Sequence, residues 1–511
     1  MELSAIVSNP DDVWKVYLSA FLFTVLLLWR RFKPYKRPQS VPGPPTKPFL
    51  GCLLLIDEHW QKLPDFCLEY NEKFGKTWCA PVPDIGLLGG AMFSMTDEAS
   101  IKHVLKDKFD NYEKGPNFRE ALGEFLGEGI FTSDGALWKV HRKVASHMFS
   151  RNLMRNGTLI AAQQVKYLSE RLNMVVKDPK SNTIDMQDMF FRLTIDVFAN
   201  IAFGVELNSI LGEKQHPFAL AFDEVQNLSQ KRFKDPLWRI KRNLQLTENE
   251  RGIRRGCKVM QRFADTVIKN KRRDADSGAK MGPDLLSRFL DPKTGDNKEP
   301  PSVKELRDIV MNFMIAGRDT TACALSWTFY ELAKNPESMD KVLKEIKEHC
   351  GEDGSEADYE KMGKLSYTHA VAIEVLRLHP SVPVDIKFAK NPDTLPDGTH
   401  IPKGATVLYS PYAIGRSEKV WGGDAKKFKP ERFLVGEGGT FKDPSQYKFP
   451  TFNAGYRLCL GKDLALLEIK LVLAMLLPKF KFEIANGHKG GYTSTLVLPM
   501  EPKLLMRVTK R

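Results

Sequence analysis

From Leu153 to Val176, and again from Phe218 to Gln230, apolar residues recur every three or four positions, the spacing that gathers them on one side of an α-helix. Stretches of this kind dominate from about Phe93 to Leu378, whereas segments with strand-like alternation are short and confined to the two ends of the chain. The pattern predicts a mainly α fold with small β-sheets. Two polar segments, Lys271 to Pro283 and Asp291 to Pro301, contain Gly, Pro and mixed charge and read as surface loops between helices. Directly after the second, Ser302-Val303-Lys304-Glu305 is a capping-box pattern, in which Ser caps an amide of the first turn and Glu reaches back to the cap. A helix starting there can run to about Lys334, where Asn335-Pro336 stops it. Its length of about 48 Å, at roughly 1.5 Å per residue, crosses a whole domain. Within it, Ala316-Gly317-Arg318-Asp319-Thr320-Thr321 puts a glycine and two hydroxyls where they weaken the backbone ladder, since Thr can bond back to helix carbonyls. Taken alone, this hexapeptide reads equally well as a tolerated glycine beside a surface Asp.

The start of the chain has a different pattern. Val13 to Trp29 is apolar apart from Lys15, is only just long enough to span a bilayer, and is followed by Arg30, Arg31, Lys33, Lys36 and Arg37. A basic cluster on one flank stays in the cytosol, with Trp14 and Trp29 near the two interfaces. No small-residue cleavage site follows, so an uncleaved anchor is the expectation, with a helix lying on the membrane as the alternative. Val41-Pro42-Gly43-Pro44-Pro45 then has few amide donors and restricted dihedrals, as in a stiff connector. The expected organisation is an anchor with basic stop-transfer over 1–37, a Pro-rich connector over 38–48 and one catalytic domain over 49–511.

Composition narrows the classes further. The 511 residues are 42% hydrophobic, which excludes a disordered chain, and the net charge of +13 suits nucleic acid, anionic lipid or an acidic protein partner equally. Seven scattered cysteines without a Cys-x-x-Cys suggest neither a disulfide framework nor a zinc cluster, and fit a reducing compartment. There is no internal repeat, Walker A loop or G-x-G-x-x-G, so electrons or phosphates must come from elsewhere. Nor is there an aromatic-basic motif for nucleic acid.

Near the C-terminus, Phe452-Asn453-Ala454-Gly455-Tyr456-Arg457-Leu458-Cys459-Leu460-Gly461 precedes the apolar helical pattern Lys462 to Leu477. A cysteine at the start of a helix faces unpaired amides and a partial positive charge, both of which favour a thiolate. Gly455 and Gly461 would let backbone approach a bulky flat group, and Arg457 offers a charged donor to a carboxylate beside it. A lone thiolate so placed suits haem iron.

This decapeptide resembles the haem-binding signature of the cytochromes P450, the haem-thiolate monooxygenases. Other stretches resemble that family in the same order: Trp138-Lys139-Val140-His141-Arg142, the hexapeptide Ala316 to Thr321, Glu374-Val375-Leu376-Arg377 and Pro430-Glu431-Arg432-Phe433. The resemblance implies a cytochrome P450 fold with the long helix crossing the haem, and a non-covalent haem b held by Cys459 as axial ligand. Phe452, Gly455 and Gly461 would belong to its cradle, and Trp138, Arg142 and Arg457 would face its propionates. Glu374, Arg377 and Arg432 would form a structural ion-pair triad. Asp319 would relay protons and Thr320 would hydrogen-bond dioxygen in a groove opened at Gly317. Electrons would come from NADPH through a separate reductase, NADPH-cytochrome P450 reductase, docking on Lys139, His141, Arg142, Lys143 and Lys462.

LGEGIFTSDGALWKVHRKVASHMFS, VLRLHPSVPVDIKFA and FNAGYRLCLGKDLALLEIKLV look most like plant and microbial fatty-acid ω-hydroxylases. The expected substrate is a long-chain fatty acid oxidised at or near its ω end, in the endoplasmic reticulum membrane. Ala316, Val382 and Val384 would line the pocket, and Ala316 stands where the animal group carries a haem-esterifying glutamate. A sterol or other terpenoid hydroxylase shares every motif. A hydroperoxide isomerase or lyase is disfavoured by Asp319-Thr320, and a non-catalytic membrane scaffold would hold no haem. Asn156-Gly157-Thr158 and Asn227-Leu228-Ser229 match glycosylation acceptors but fall on the cytosolic side of the expected topology.

Overall fold

The capping box forms as the sequence predicts: the Ser302 hydroxyl accepts from the Glu305 amide at 3.2 Å, and the Glu305 carboxylate accepts from the Ser302 amide at 2.7 Å. In the computed structural model, which describes residues 17–23, 35–83, 90–178, 182–235, 237–277, 282, 284–290, 301–436, 439–485 and 487–511, this cap starts an unbroken helix over Val303–Lys334. Asn335 ends it, and Pro336, which lacks the amide a helix interior needs, opens the next helix, Pro336–Cys350.

The helices that frame the site are α1 (Gly135–Ser146), α2 (Arg151–Lys177), α3 (Met186–Phe203), α4 (Pro217–Gln230), α5 (Glu248–Asp276), α6 (Val303–Lys334), α7 (Ser366–Leu378) and α8 (Lys462–Leu476). The larger sheet has strands β1 (Trp78–Pro81), β2 (Ala91–Met95), β3 (Tyr112–Glu113), β4 (Asp385–Ala389) and β5 (Thr406–Tyr409), in the spatial order β1-β2-β5-β4-β3. Only the β2–β5 pair is parallel, with Phe93 opposite Val407. A three-stranded antiparallel sheet joins Phe480–Ile484, Leu505–Lys510 and Thr183–Asp185.

Helix α6 joins two apolar cores. Its first half, with Val310 and Met314, packs with Phe198, Phe222, Ile253 and Met260 of α3, α4 and α5. Its second half, with Leu325, Trp327 and Phe329, packs with Leu168, Phe190, Val371 and Leu471 of α2, α3, α7 and α8. Each large apolar side chain removed from water this way is worth about 1.5–3 kcal/mol. Residues 316–321 fall between the two cores, so the hexapeptide is where polar side chains can enter the centre of the molecule.

Several expectations need correction. Phe93 lies in a strand, not at the start of the helical region, and Thr183–Asp185 is a strand in the middle of the chain, recruited by C-terminal partners that a local pattern does not reveal. Lys271 to Asp276 continue α5 instead of forming a loop. The connector is part of the body: Val41 is buried, the Pro42 carbonyl accepts from the Cys79 amide at 2.8 Å, and Arg37 donates to the Pro44 and Cys79 carbonyls at 3.0 Å. Residues 17–23 are helical and expose Tyr17, Phe21, Leu22 and Phe23. Residues 1–16 and 24–34 of the expected anchor, including Trp14, Trp29, Arg30, Arg31 and Lys33, lie outside the described residues, as does 291–300. Among the described residues no helix is long and apolar enough to cross a membrane.

Candidate active site

The cysteine loop is shaped by two residues in the left-handed region, Asn453 (φ 62) and Gly455 (φ 60). Asn453 tolerates that conformation because its side-chain oxygen accepts from the Ala454 amide at 2.8 Å and from the Tyr409 hydroxyl at 3.0 Å. A Cβ at Gly455 would stand 2.1 Å from the Leu105 carbonyl oxygen, so this glycine admits a neighbouring backbone. At Gly461 an added Cβ would make ordinary contacts, 3.8 Å to Phe149 and 3.9 Å to the Cys459 sulfur. Phe452 accepts the Cys459 amide on its carbonyl at 2.8 Å and packs its half-buried ring against the core beside α8.

All seven cysteines are free, and Cys459 alone keeps an open face, although protein atoms surround it densely. Burial pushes its thiol above the ordinary value, while the Gly461 and Lys462 amides at the start of α8 and the Arg142 guanidinium pull the other way. The helix terminus thus acts in the expected direction but does not by itself make the sulfur an anion. Bound iron would complete that step, because a coordinating thiol loses its proton outright.

Beside the cysteine lies a dense polar cluster. Arg457 donates to Asp134 at 2.7 Å and to the Ser133 carbonyl at 2.8 Å, while its buried Nε has no partner. Trp138 is held between two cations, Arg457 at 4.7 Å and Arg142 at 5.7 Å from its ring, and Arg142 donates to the Leu458 carbonyl at 2.8 Å. Asp134, in extended conformation just before α1, also accepts from the Lys114 and Gly115 amides. The Lys114 ammonium reaches Asp385 at 2.5 Å, and Asp385 is shared with Lys387 at 2.8 Å, Tyr409 at 2.8 Å and Asn453 at 3.2 Å. Burial would raise the Asp385 carboxyl, but the two lysines hold it well below the usual range; burial pushes Lys387 down to about 7 against the attraction of Asp385.

On the long helix, the Thr320 hydroxyl donates to the Ala316 carbonyl at 2.6 Å, the back-bonding anticipated for it, and Ser381 donates to the Thr320 carbonyl at 2.7 Å. That bond brings the segment carrying half-buried Val382 and Val384 to the middle of α6. Gly317 has a different part from the one expected: a Cβ there would lie 1.9 Å from the Phe198 ring, so the missing side chain lets α3 seat against α6 instead of opening a groove. Asp319 is buried, not at the surface, and pairs with buried Arg318 at 3.0 Å. Burial raises its carboxyl to about 7, Arg318 opposing this and Asp223 adding to it.

Glu374 and Arg377 form a fully buried bidentate pair at 2.6 and 2.7 Å, and Arg432 approaches Glu374 at 3.4 Å while pairing with Asp424 at 2.7 Å. Arg377 also donates to the carbonyls of Gly415, Ala425 and Lys427, tying α7 to the chain that leads to the cysteine loop. Of the basic side chains expected to dock a partner, Lys139 and Lys143 are exposed and Lys462 pairs with Asp443 at 3.0 Å. His141 is buried, where desolvation lowers its pKa, and Arg142 turns inward.

A family model described as Cytochrome P450 matches residues 41–506. The chain belongs to the cytochrome P450 family. Among its relatives, Cytochrome P450 704B1 of Arabidopsis thaliana is 34% identical, over 92% of this chain and 95% of its own length. Cytochrome P450 94A2 of Vicia sativa is 33% identical over 100% and 99%, and Cytochrome P450 monooxygenase cyp1 of Mycosarcoma maydis is 32% identical over 96% and 79%. This cytochrome P450 is accordingly a monooxygenase with a thiolate-ligated haem, supplied with electrons by a reductase and acting on a hydrophobic substrate with O₂.

The residues present fit that group. Among the described residues, Lys114, Lys387, Arg119, Arg142 and Arg457 share just two carboxylates within the cluster, Asp134 and Asp385, which leaves an excess of positive charge. A haem brings two propionate carboxylates, which would offset that excess and offer an acceptor to the orphaned Arg457 Nε. Sequence reasoning missed Lys114, Asp134, Asp385, Lys387 and Tyr409. Asp134, placed before Gly135 at the start of α1, carried a readable cap signal; the others meet only through the β3–β4–β5 pairing.

Proposed function

We propose that this cytochrome P450 hydroxylates long-chain fatty acids at or near the ω end, drawing electrons from NADPH-cytochrome P450 reductase at the endoplasmic reticulum membrane. One oxygen atom enters the C–H bond and the other leaves as water, with two electrons from NADPH and two protons. The bound haem supplies oxygen activation, tuned by electron donation from the Cys459 thiolate.

In this reading the chain's own residues hold the cofactor, keep water out and move protons. Arg142, Arg457, Lys114 and Lys387 fix the propionates, with Trp138 packed between two of these cations. Thr320 is the hydrogen-bonding group on the long helix; its hydroxyl leaves the Ala316 carbonyl at little cost, since the backbone helix bond remains. Asp319 provides the protons, and its carboxyl raised to about 7 suits an acid working near neutral pH. Glu374, Arg377 and Arg432 keep the cysteine loop in place.

The observation that carries the oxygenase reading is Cys459, open-faced at the start of α8 beside a cluster with more cations than carboxylates. The fatty-acid reading rests on the three stretches resembling ω-hydroxylases and on apolar Ala316 and Val382, the latter adjoining Ser381, which bonds the Thr320 carbonyl. Exposed Tyr17, Phe21, Leu22 and Phe23 support membrane contact, and Lys139 and Lys143 offer an outward basic face to an acidic reductase. Both glycosylation patterns sit inside helices with Thr158 and Ser229 buried, in keeping with a cytosolic catalytic domain.

Displacement of iron-bound water, read as a spectral shift, tests the substrate. Lauric or oleic acid should produce the shift at micromolar concentration and a sterol should not; the reverse ranking would replace the fatty-acid reading with that of a terpenoid hydroxylase.

A further inference from the structure

The Arg318 guanidinium is almost wholly buried, yet it serves two carboxylates at once. It binds Asp223 of α4 through two bonds, Nη1 to Oδ1 at 2.5 Å and Nη2 to Oδ2 at 3.0 Å, and shares the same Nη1 with Asp319 at 3.0 Å. The two acids differ sharply in setting: the Asp223 side chain is 39% exposed and that of Asp319 is 1% exposed. The second oxygen of Asp319 is buried without a hydrogen bond, as is Nε of Arg318. The arginine is fixed from other sides as well, between the rings of Phe191 and Phe222, with its carbonyl accepting from the Thr194 hydroxyl at 2.9 Å.

A buried guanidinium with one competent carboxylate would engage it on two nitrogens and hold it ionised. In this geometry the outer carboxylate takes that bidentate position and the inner one keeps a single bond to the arginine. We propose that Asp223 is a positioning residue for proton delivery: by occupying Arg318 from the solvent side, it prevents the arginine from fully engaging Asp319 and leaves Asp319 able to carry a proton inward. The inference rests on the reading of Asp319 as the proton donor. For each of the two protons that a turnover uses, the Asp319 carboxyl gives one proton inward, the carboxylate left behind is held by Arg318, and one proton returns from solvent at the open end marked by Asp223.

The charged and titratable groups facing Asp319 are few. Arg318 and Cys323 come from its own helix and Asp223 from α4, beside the Gln226 amide; α3 contributes the Thr194 hydroxyl and the Phe191 ring. Burial and Asp223 both raise the Asp319 carboxyl, and Arg318 lowers it. Removing the outer charge therefore frees Arg318 for Asp319, which then stays ionised to lower pH.

The test uses the full chain reconstituted with its reductase, NADPH and lauric acid, and measures the fraction of NADPH converted to hydroxylated product, not hydrogen peroxide, as a function of pH. In the wild type this fraction falls as pH rises and Asp319 loses its proton. Asp223→Asn, and Asp223→Ser as a second removal of the same charge, should move that fall to lower pH by about one unit, the usual effect of a charge a few ångströms away, and Asp223→Glu should restore it. Infrared titration of the protonated carboxyl band that Asp319→Asn abolishes should show the same displacement without turnover. A fall and a band that stay at the wild-type pH in both removals overturn the inference. If Asp319→Asn couples as well as the wild type, the reading of Asp319 as the acid fails first, and the two failures are distinguished.

Discussion

Replacing Glu374 by Gln exchanges one oxygen for NH₂ and removes one charge from a fully buried ion pair. Oε1 accepts from Arg377 at 2.7 Å, the Lys429 amide at 2.8 Å and Arg432 at 3.4 Å, and Oε2 accepts from Arg377 at 2.6 Å. A glutamine keeps one acceptor and turns an NH₂ toward a guanidinium that can only donate. Both side chains are 0% exposed, so water cannot compensate. Breaking a buried pair from one side costs about 3–5 kcal/mol, set against a net stability of about 5–15 kcal/mol for a folded domain. The cost should fall on the cysteine loop, because Arg377 also anchors the carbonyls of Gly415, Ala425 and Lys427. Urea unfolding followed by circular dichroism, with haem absorbance per protein measured on the same samples, should show a large drop in midpoint and protein largely without haem. Glu374→Met with Arg377→Met leaves no unpaired charge and should recover part of the loss. An unfolding free energy for Glu374→Gln within about 0.5 kcal/mol of the wild type, the range of an ordinary surface change, would refute the reasoning.

Gly317→Ala drives a methyl into the Phe198 ring and should destabilise by about 1–3 kcal/mol despite the better helix former, with Phe198→Leu restoring stability; calorimetry reads both. His369 is pushed down to about 4 by burial, with Lys470 adding to the effect, so the folded state binds its proton later than the unfolded chain. Stability is then full above about pH 6.5 and declines as pH falls toward about 4, and His369→Phe should flatten that part of the denaturation-against-pH curve. Charge reversal at Lys139 and Lys143 should raise the KM for reductase several-fold at low salt, with the difference shrinking at high salt, while peroxide-driven turnover is unchanged.

The long helix was legible to the residue because its start and stop are local chemistry: a capping box at Ser302 and a proline after Asn335. The cysteine loop and the Glu374–Arg377 pair were legible for the same reason, each lying in one short stretch. The cation cluster was not, since Lys114, Asp385 and Lys387 meet only where β3 and β5 flank β4 across almost three hundred residues of chain. Gly317 shows the limit from another side. Its sequence signal is a missing side chain, and only the position of Phe198 reveals that the space is filled by protein. His141 was misplaced because a basic residue on an amphipathic helix reads as outward, whereas its turn of α1 faces Phe289.

The central claim is that the Cys459 sulfur is the axial ligand of a haem iron. The carbon monoxide difference spectrum of the reduced protein tests it directly: the wild type should show the strongly red-shifted band of thiolate ligation, and Cys459→Ser should lose that band. A Cys459→Ser protein that keeps the red-shifted band would contradict the account.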